Sequence, residues 1–466
     1  MERLYDKLKA YSESDFYAFH MPGHKRNKAL LGIELPYDLD ITEIDGFDDL
    51  HHADGILKEE QERAARVFGA EESHFLVNGS TAGILSAVMG CTHRGDKILV
   101  ARHCHKSIYH AIYMNGLVPR YVYPEFDISM HMNGEISKED VAKALAAEPD
   151  IKAVVIVSPN YDGVVSDVKG IAEVAHSYRI PLIVDEAHGA HFRFHPAFPG
   201  RANDLGADVV INSLHKTLPS LTQTAILHIN GKLANRRRIK KYLDMLQSSS
   251  PSYIFMASLD ACVDFLDGKC EEAFELYVER LQKFREELKP LQHLQILRTE
   301  HYDISTANAN ITSPELADRL RKEYHLEMEM TGGTYVLAMT TVADTQEGLD
   351  RLKSALLEID DQLEAKTAVS GSIEISGELP RLEQYFTPQE AAEREEDGEA
   401  EEIPWKESEG HISLEYAYLY PPGSPVIVPG ERISREAVEL LCYYETQNLQ
   451  IEGIQTEGKI KVWKHE

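Results

Sequence analysis

The sequence predicts an α/β fold organised around a mostly parallel sheet, followed by smaller α+β units. Three observations carry that expectation. Helical and strand patterns alternate from about residue 56 until the rhythm changes near residue 240. Within that stretch "AVVIV", "PLIV" and "DVVI" are unbroken apolar runs, the pattern of strands covered by helices on both faces. The chain has 466 residues, 43% hydrophobic and 27% charged, the make-up of a globular protein large enough for two or three domains.

Taken in order, "ILKEEQERAARVFG" reads as an amphipathic helix closed by Gly69, "HFLV" as a strand, "AGILSAVMG" as a helix closed by Gly90, and "KILVA" as a second strand. "ISKEDVAKALAA" has Ser137 at the N-cap position with Asp140 three residues on. Past residue 240 helices take over, "EEAFELYVERLQKFREELKPL" being the longest. "LQILRTE", "TYVLAMT" and "TQEGLDRLKSALLEI" then read as a small α+β unit. Domain boundaries are therefore expected at 1–55, 56–285, 286–365 and 366–466. Inside the last, "AAEREEDGEAEE" from Ala391 to Glu402 reads as a solvated acidic linker, and "YPPGSPVIVPGE" from Tyr420 to Glu431 as a shaped loop.

Composition narrows the function. A formal net charge of -29 disfavours nucleic acid and anionic membrane as partners. No apolar run is long enough to span a bilayer, and "MERLYDKLKAYSESDF" lacks the apolar core of a signal peptide, so a cytoplasmic location is expected. The five cysteines form no C-x-x-C pair, which argues against structural zinc and against a disulfide framework.

In parallel sheets ligands collect at the carboxyl ends of strands, so polar residues directly after apolar runs are the candidates. Four such places occur. After "HFLV", Asn78 to Gly83 form a small-residue loop running into a helix, suited to a phosphate, and containing Ser80 and Thr81. After "KILVA" come His103, His105 and His110; after "PLIV" come Asp185, Glu186, Ala187 and His188; after "DVVI" come Ser213, Leu214, His215 and Lys216. A phosphate cradle, an imidazole to lie on a flat ring, a carboxylate to keep a pyridine nitrogen protonated and a lysine for an imine are together the needs of pyridoxal phosphate. Two other readings stay open: a different reaction on the same cofactor, such as transamination or aldol-type cleavage, and metal-dependent hydrolysis through His103, His105 and His110. No metal is expected, because no Asp or Glu stands in an H-E-x-x-H arrangement.

Six motifs in order, "FHMPGHK" (Phe19 to Lys25), "HKSIYHA", "VDEAHGAHF", "SLHKTLPSLTQ", "QSSSPSY" and "YPPGSPVIVPGE", resemble the bacterial ornithine/lysine/arginine decarboxylases. These are aspartate-aminotransferase-like, fold-type I enzymes. The resemblance is to the short branch, since nothing like a receiver domain precedes "HMPGHK" and His188 stands where a Trp is expected in the larger members. It implies Lys216 as the amine joined to the cofactor, Asp185 at the pyridine nitrogen, His105 on the ring face and Ala187 beneath it. Ser80, Thr81, Ser213 and His215 are implied at the phosphate, and His105, His188 or Lys216 as the source of a proton. It further implies decarboxylation of arginine, lysine or ornithine, with arginine preferred, in polyamine metabolism, by a homodimer or higher oligomer in which "QSSSPSY" reaches the neighbouring site. Glu431, closing its loop, is the expected partner of the substrate's distal cation.

Overall fold

The computed structural model describes residues 3–128, 132–365, 378–419, 423–446 and 451–464. Its centre is a seven-stranded sheet. The strands are β1 (Glu72–Leu76), β2 (Lys97–Ala101), β3 (Val118–Val122), β6 (Val154–Val157), β7 (Leu182–Asp185), β8 (Val209–Asn212) and β9 (Ala225–Ile229). A short antiparallel pair of β4 (Phe126–Asp127) and β5 (Met132–Asn133) lies outside this sheet. The spatial order is β1-β9-β8-β7-β6-β2-β3. Neighbours from β3 to β8 run parallel, and β9 is antiparallel to both β8 and β1.

Every residue of β6, β7, β8 and β9 is buried, which is why the first three read as unbroken apolar runs rather than alternating ones. The two faces are visible in β1 and β9. Phe75 and its register partner Ile226 join one core with Leu4, Leu57 and Met256, while Leu76 and Leu227 join the other with Val100, Ile156 and Ile211. The N-terminal segment is part of the first of these cores through Leu8, Ile41, Phe47 and Leu50.

The helices around the sheet are α1 (Leu4–Ser12), α2 (Ile56–Phe68), α3 (Gly79–Cys91), α4 (Lys106–Met114), α5 (Lys138–Ala147), α6 (Val168–Ser177), α7 (Leu214–Thr217), α8 (Arg236–Leu246), α9 (Tyr253–Leu266) and α10 (Glu271–Glu287). Gly69 closes α2 in the left-handed conformation, φ +67°, its N–H bonded to the last turn. Gly90 does not close α3. It lies inside the helix, and a Cβ there would stand 2.8 Å from the Cα of Ile239, so this glycine lets α8 pack closely. Ser137 occupies the N-cap position of α5, but its hydroxyl donates to Glu139 instead of capping.

Beyond α10 a four-stranded antiparallel sheet, Gln295–Ile296, Tyr302–Ser305, Tyr335–Ala338 and Met330–Thr331 in spatial order, packs under helices Ser313–Tyr324 and Gln346–Asp361 around Ile304, Leu320, Val336 and Leu356. The region from 379 to 463 has its own core around Trp405, Ile427, Leu440 and Val462. The acidic stretch expected as a linker is ordered here. Thr387 and Glu390 form a reciprocal capping box for a helix, Pro388–Glu396, that buries Ala391, and Ala400–Pro404 is a strand paired with Lys459–Trp463. Acidity on the outer face does not prevent a helix whose inner face is held.

Candidate active site

The carboxyl ends of β6, β7 and β8 and the loop after β1 open on a cavity of about 410 Å³. Ser80, Thr81, His105, Asp185, Ala187, His188, Ser213, His215 and Lys216 all line it, so the structure brings together the residues from all four strand ends.

Gly79 turns the chain into α3 at φ +71°, donating its N–H to the Gln223 carbonyl, and thereby presents the first turn of α3 with its outward N–H groups to the cavity. From the far side, Ser213 Oγ lies 2.6 Å from Ser80 Oγ. His215 Nδ1 donates to the Thr224 carbonyl at 2.8 Å, which fixes its tautomer, and burial lowers its pKa. Two hydroxyls, a helix N-terminus and an imidazole converge, the donor set a phosphate needs.

His105 caps α4. Its Nδ1 accepts the Ser107 N–H at 3.2 Å, and burial, with smaller effects from the charges of Lys216 and Lys106, pushes its pKa down to about 4, so the ring is held neutral and oriented. Asp185 ends β7 buried. Burial raises its pKa, the Lys216 ammonium opposes that, and Ala187 N–H donates to Oδ1 at 3.1 Å. A carboxylate here calls for a cation, and a protonated ring nitrogen is one.

Lys216 sits on the single turn α7 directly after β8. Burial lowers its pKa, against the raising pull of Asp185 and Glu329. Its Nζ is 2.8 Å from His188 Nε2, and His188 Nδ1 is in turn 3.2 Å from His301 Nε2. The Tyr161 ring lies 4.7 Å from that of His188 and 5.8 Å from Lys216 Nζ, and its hydroxyl donates to Glu329.

Glu431 is not at the cavity. It is fully buried, paired with Arg102 Nη2 at 2.9 Å and accepting the Val428 N–H at 2.8 Å. A guanidinium that is itself fully buried takes its charge, so it is not offered to a substrate. The loop it closes does reach the site through Ser424, which lines the cavity and donates to the His103 carbonyl at 2.8 Å; Tyr420 to Pro422 fall outside the described residues. Glu329, exposed just before the small-sheet strand Met330–Thr331 and lining a separate cavity, is the other carboxylate whose charge raises the Lys216 pKa. Sequence reading missed Glu329 and His301, which follow no apolar strand that ends at the site, and Tyr161, which lies in the turn after β6, an apolar run whose carboxyl end also opens on the cavity and whose following residues were not read. Of the three clustered histidines, His103 and His105 line the cavity and His110 does not; among the described residues no group of three or more His, Cys, Asp or Glu is arranged to hold a metal ion.

The family "Orn/Lys/Arg decarboxylase, major domain" matches residues 3–358, and its C-terminal domain matches residues 377–458. The chain belongs to the Orn/Lys/Arg decarboxylase family. An arginine decarboxylase of Bacillus subtilis is 33% identical over 97% of this chain and 95% of its own. The lysine decarboxylase LdcF of Francisella novicida superposes with a TM-score of 0.83 at 20% identity, covering 98% of this chain and 80% of that one. An alanine–glyoxylate aminotransferase from Nostoc sp. shares the large-domain fold, with a TM-score of 0.53 at 15% identity over 65% of this chain and 86% of its own. The decarboxylase fold is thus fold-type I with an added C-terminal domain, and its cofactor is pyridoxal phosphate. The donor set fits that group: one cavity is lined by hydroxyls and a helix N-terminus, a buried carboxylate and a lysine of lowered pKa.

Proposed function

We propose that the protein decarboxylates a basic amino acid, arginine before lysine and ornithine, to the corresponding amine. The observation that carries the reading is Lys216 Nζ, held with lowered pKa at the end of β8 in one cavity with Asp185 and the Ser80–Ser213 pair. When bound, pyridoxal phosphate supplies an electron sink for the bond to the departing carboxylate. Ser80, Thr81, Ser213, His215 and the first turn of α3 would anchor its phosphate. Asp185 would hold a proton at its ring nitrogen, and His105 and Ala187 would lie against its ring. Lys216 needs a neutral amine to attack, which burial favours. The α-amino and carboxylate groups of the substrate are both used in the chemistry, so selection falls on the distal cation. Glu329, fixed by the Tyr161 hydroxyl, is the anion offered there. The names of relatives such as the Bacillus subtilis arginine decarboxylase support arginine.

Carbon dioxide and amine release from arginine, lysine and ornithine by purified holoenzyme tests the reading. Arginine should be fastest, and Lys216→Ala should lose both turnover and the coloured, reducible adduct. Decarboxylation of an uncharged amino acid with none of the basic three accepted would overturn it.

The reading extends to a cytoplasmic homodimer in polyamine metabolism. Ser248 to Ser250 are exposed beside the phosphate loop, where Ser248 N–H bonds Asn78 Oδ1 at 3.1 Å, and no helix among the described residues is long and apolar enough to cross a membrane. Light scattering on active enzyme decides the oligomer; a fully active monomer would remove it.

A further inference from the structure

The contact between Lys216 and His188 continues into the small unit. His301 immediately precedes the strand Tyr302–Ser305, is 2% exposed, and meets His188 with ring centroids 5.3 Å apart. Its backbone is pinned by the turn after β6. Glu300 N–H donates to the Gly163 carbonyl at 3.0 Å, and a Cβ on Gly163, already at φ +85°, would stand 2.7 Å from the His301 nitrogen. Only glycine admits that approach. Glu300 also lines an open cavity of about 550 Å³, so solvent comes within one residue of the outer end of the row.

Decarboxylation has a proton requirement. A carboxylate leaves as carbon dioxide, its bonding pair stays on carbon, and a C–H bond forms, so each turnover takes up one proton from solvent. The row Lys216–His188–His301 can carry one inward. With a proton added at His301, its Nε2–H bond breaks as His188 Nδ1–H forms; His188 Nε2–H breaks as a bond to Lys216 Nζ forms. The positive charge moves from imidazolium to ammonium and no electron pair leaves the row. Both histidines are pushed down by burial first and by the Lys216 charge second, His301 to about 4, so the proton runs toward the stronger base.

We propose that His301 is a positioning residue that acts through His188 as the outer member of a proton path to Lys216, and that the Gly163 turn keeps the path closed by seating the small unit. The proposal rests on the decarboxylase reading. The groups whose titration bears on His188 are Lys216, His215, His105 and His301, with Asp185 and Glu329 acting through Lys216.

The test compares holoenzyme of wild type, His301→Leu and His301→Gln by kcat, KM, solvent deuterium isotope effect and, independently of turnover, the pH titration of the visible absorbance of the cofactor. Glutamine accepts a hydrogen bond from His188 but cannot pass a proton on, and its polarity and size cover the case in which the leucine variant does not fold. Both variants should lose about 10-fold or more in kcat with little change in KM, show a larger isotope effect, and shift the absorbance titration. Wild-type kcat in His301→Gln overturns the path. So does a parallel loss in kcat and KM with isotope effect and titration unchanged, which is the signature of packing alone. If wild type releases no carbon dioxide from any of the three basic amino acids while the titration still responds to both variants, the decarboxylase reading fails and the Lys216–His188–His301 row stands.

Discussion

Asp185 and Lys216 oppose each other's desolvation across the cavity, and the sign of each shift follows. Burial alone would keep the carboxyl protonated and the amine neutral, while their mutual attraction favours the charged forms. A ring nitrogen that carries a proton beside Asp185 would tip the carboxyl to its anion and leave Lys216 free to be neutral. Asp185→Asn keeps shape and the Ala187 contact but cannot hold that proton. Decarboxylation is expected to fall about 10²- to 10⁴-fold while the visible absorbance of bound cofactor persists. Near-normal single-turnover rates in that variant would remove Asp185 from the chemistry.

At the scale of elements, the buried Arg102–Glu431 pair joins the end of β2 to the strand Glu431–Arg432 of the C-terminal region. Arg102 also donates to the Val426 carbonyl at 3.0 Å and lies over the Tyr121 ring at 4.8 Å. Glu431→Gln would leave a buried guanidinium without its counter-charge, at about 3 kcal/mol or more. The expected result is a lower melting temperature with KM for the basic amino acid unchanged, whereas Glu329→Gln should raise that KM and leave melting alone. A reversed pattern in the two variants would return the substrate cation to Glu431. The same pair shows what sequence could and could not convey. The large sheet was legible because β6, β7 and β8 are buried on both faces and announce it residue by residue, and the site residues on the ends of β7 and β8 inherited that clarity. Glu431 was misassigned because its partner lies 329 residues away, and no local pattern marks a pairing of that span. The helix Pro388–Glu396 had a readable signal in Thr387 and Glu390, overridden by its acidity, while the strand Ala400–Pro404 depends on a partner near the end of the chain. Glu329, Tyr161 and His301 sit where the small sheet meets the turn after β6, a meeting only the tertiary structure defines.

Across the whole molecule, buried acids and buried histidines away from the cavity set opposite pH dependences. Glu186, accepting from Ala202 N–H at 2.7 Å and Asn212 Nδ2 at 3.0 Å, is pushed up to about 8 by burial, and Asp303 likewise by burial and then the charge of Asp162. Both have unfolded values of about 4, so the folded chain holds protons that the unfolded chain releases. Their stabilisation is complete below about pH 4 and is lost as pH rises to about 8. His191 and His228 are pushed down to about 3 by burial, against an unfolded value of about 6.5. Their stabilisation is complete above about pH 6.5 and is lost as pH falls toward 3. From about pH 4 to 6.5 the two pairs act in opposite senses, and above 6.5, of these four groups, only the acids still titrate. Scanning calorimetry of the holoenzyme should therefore find a melting temperature that falls from about pH 6.5 to pH 8, where these acids titrate and the buried histidines no longer do. Glu186→Gln preserves the acceptor for Ala202 and removes the titration, so it should make that fall shallower. An unchanged slope in the variant would exclude Glu186 as its source, and a level wild-type profile between pH 6.5 and 8 would exclude both acids.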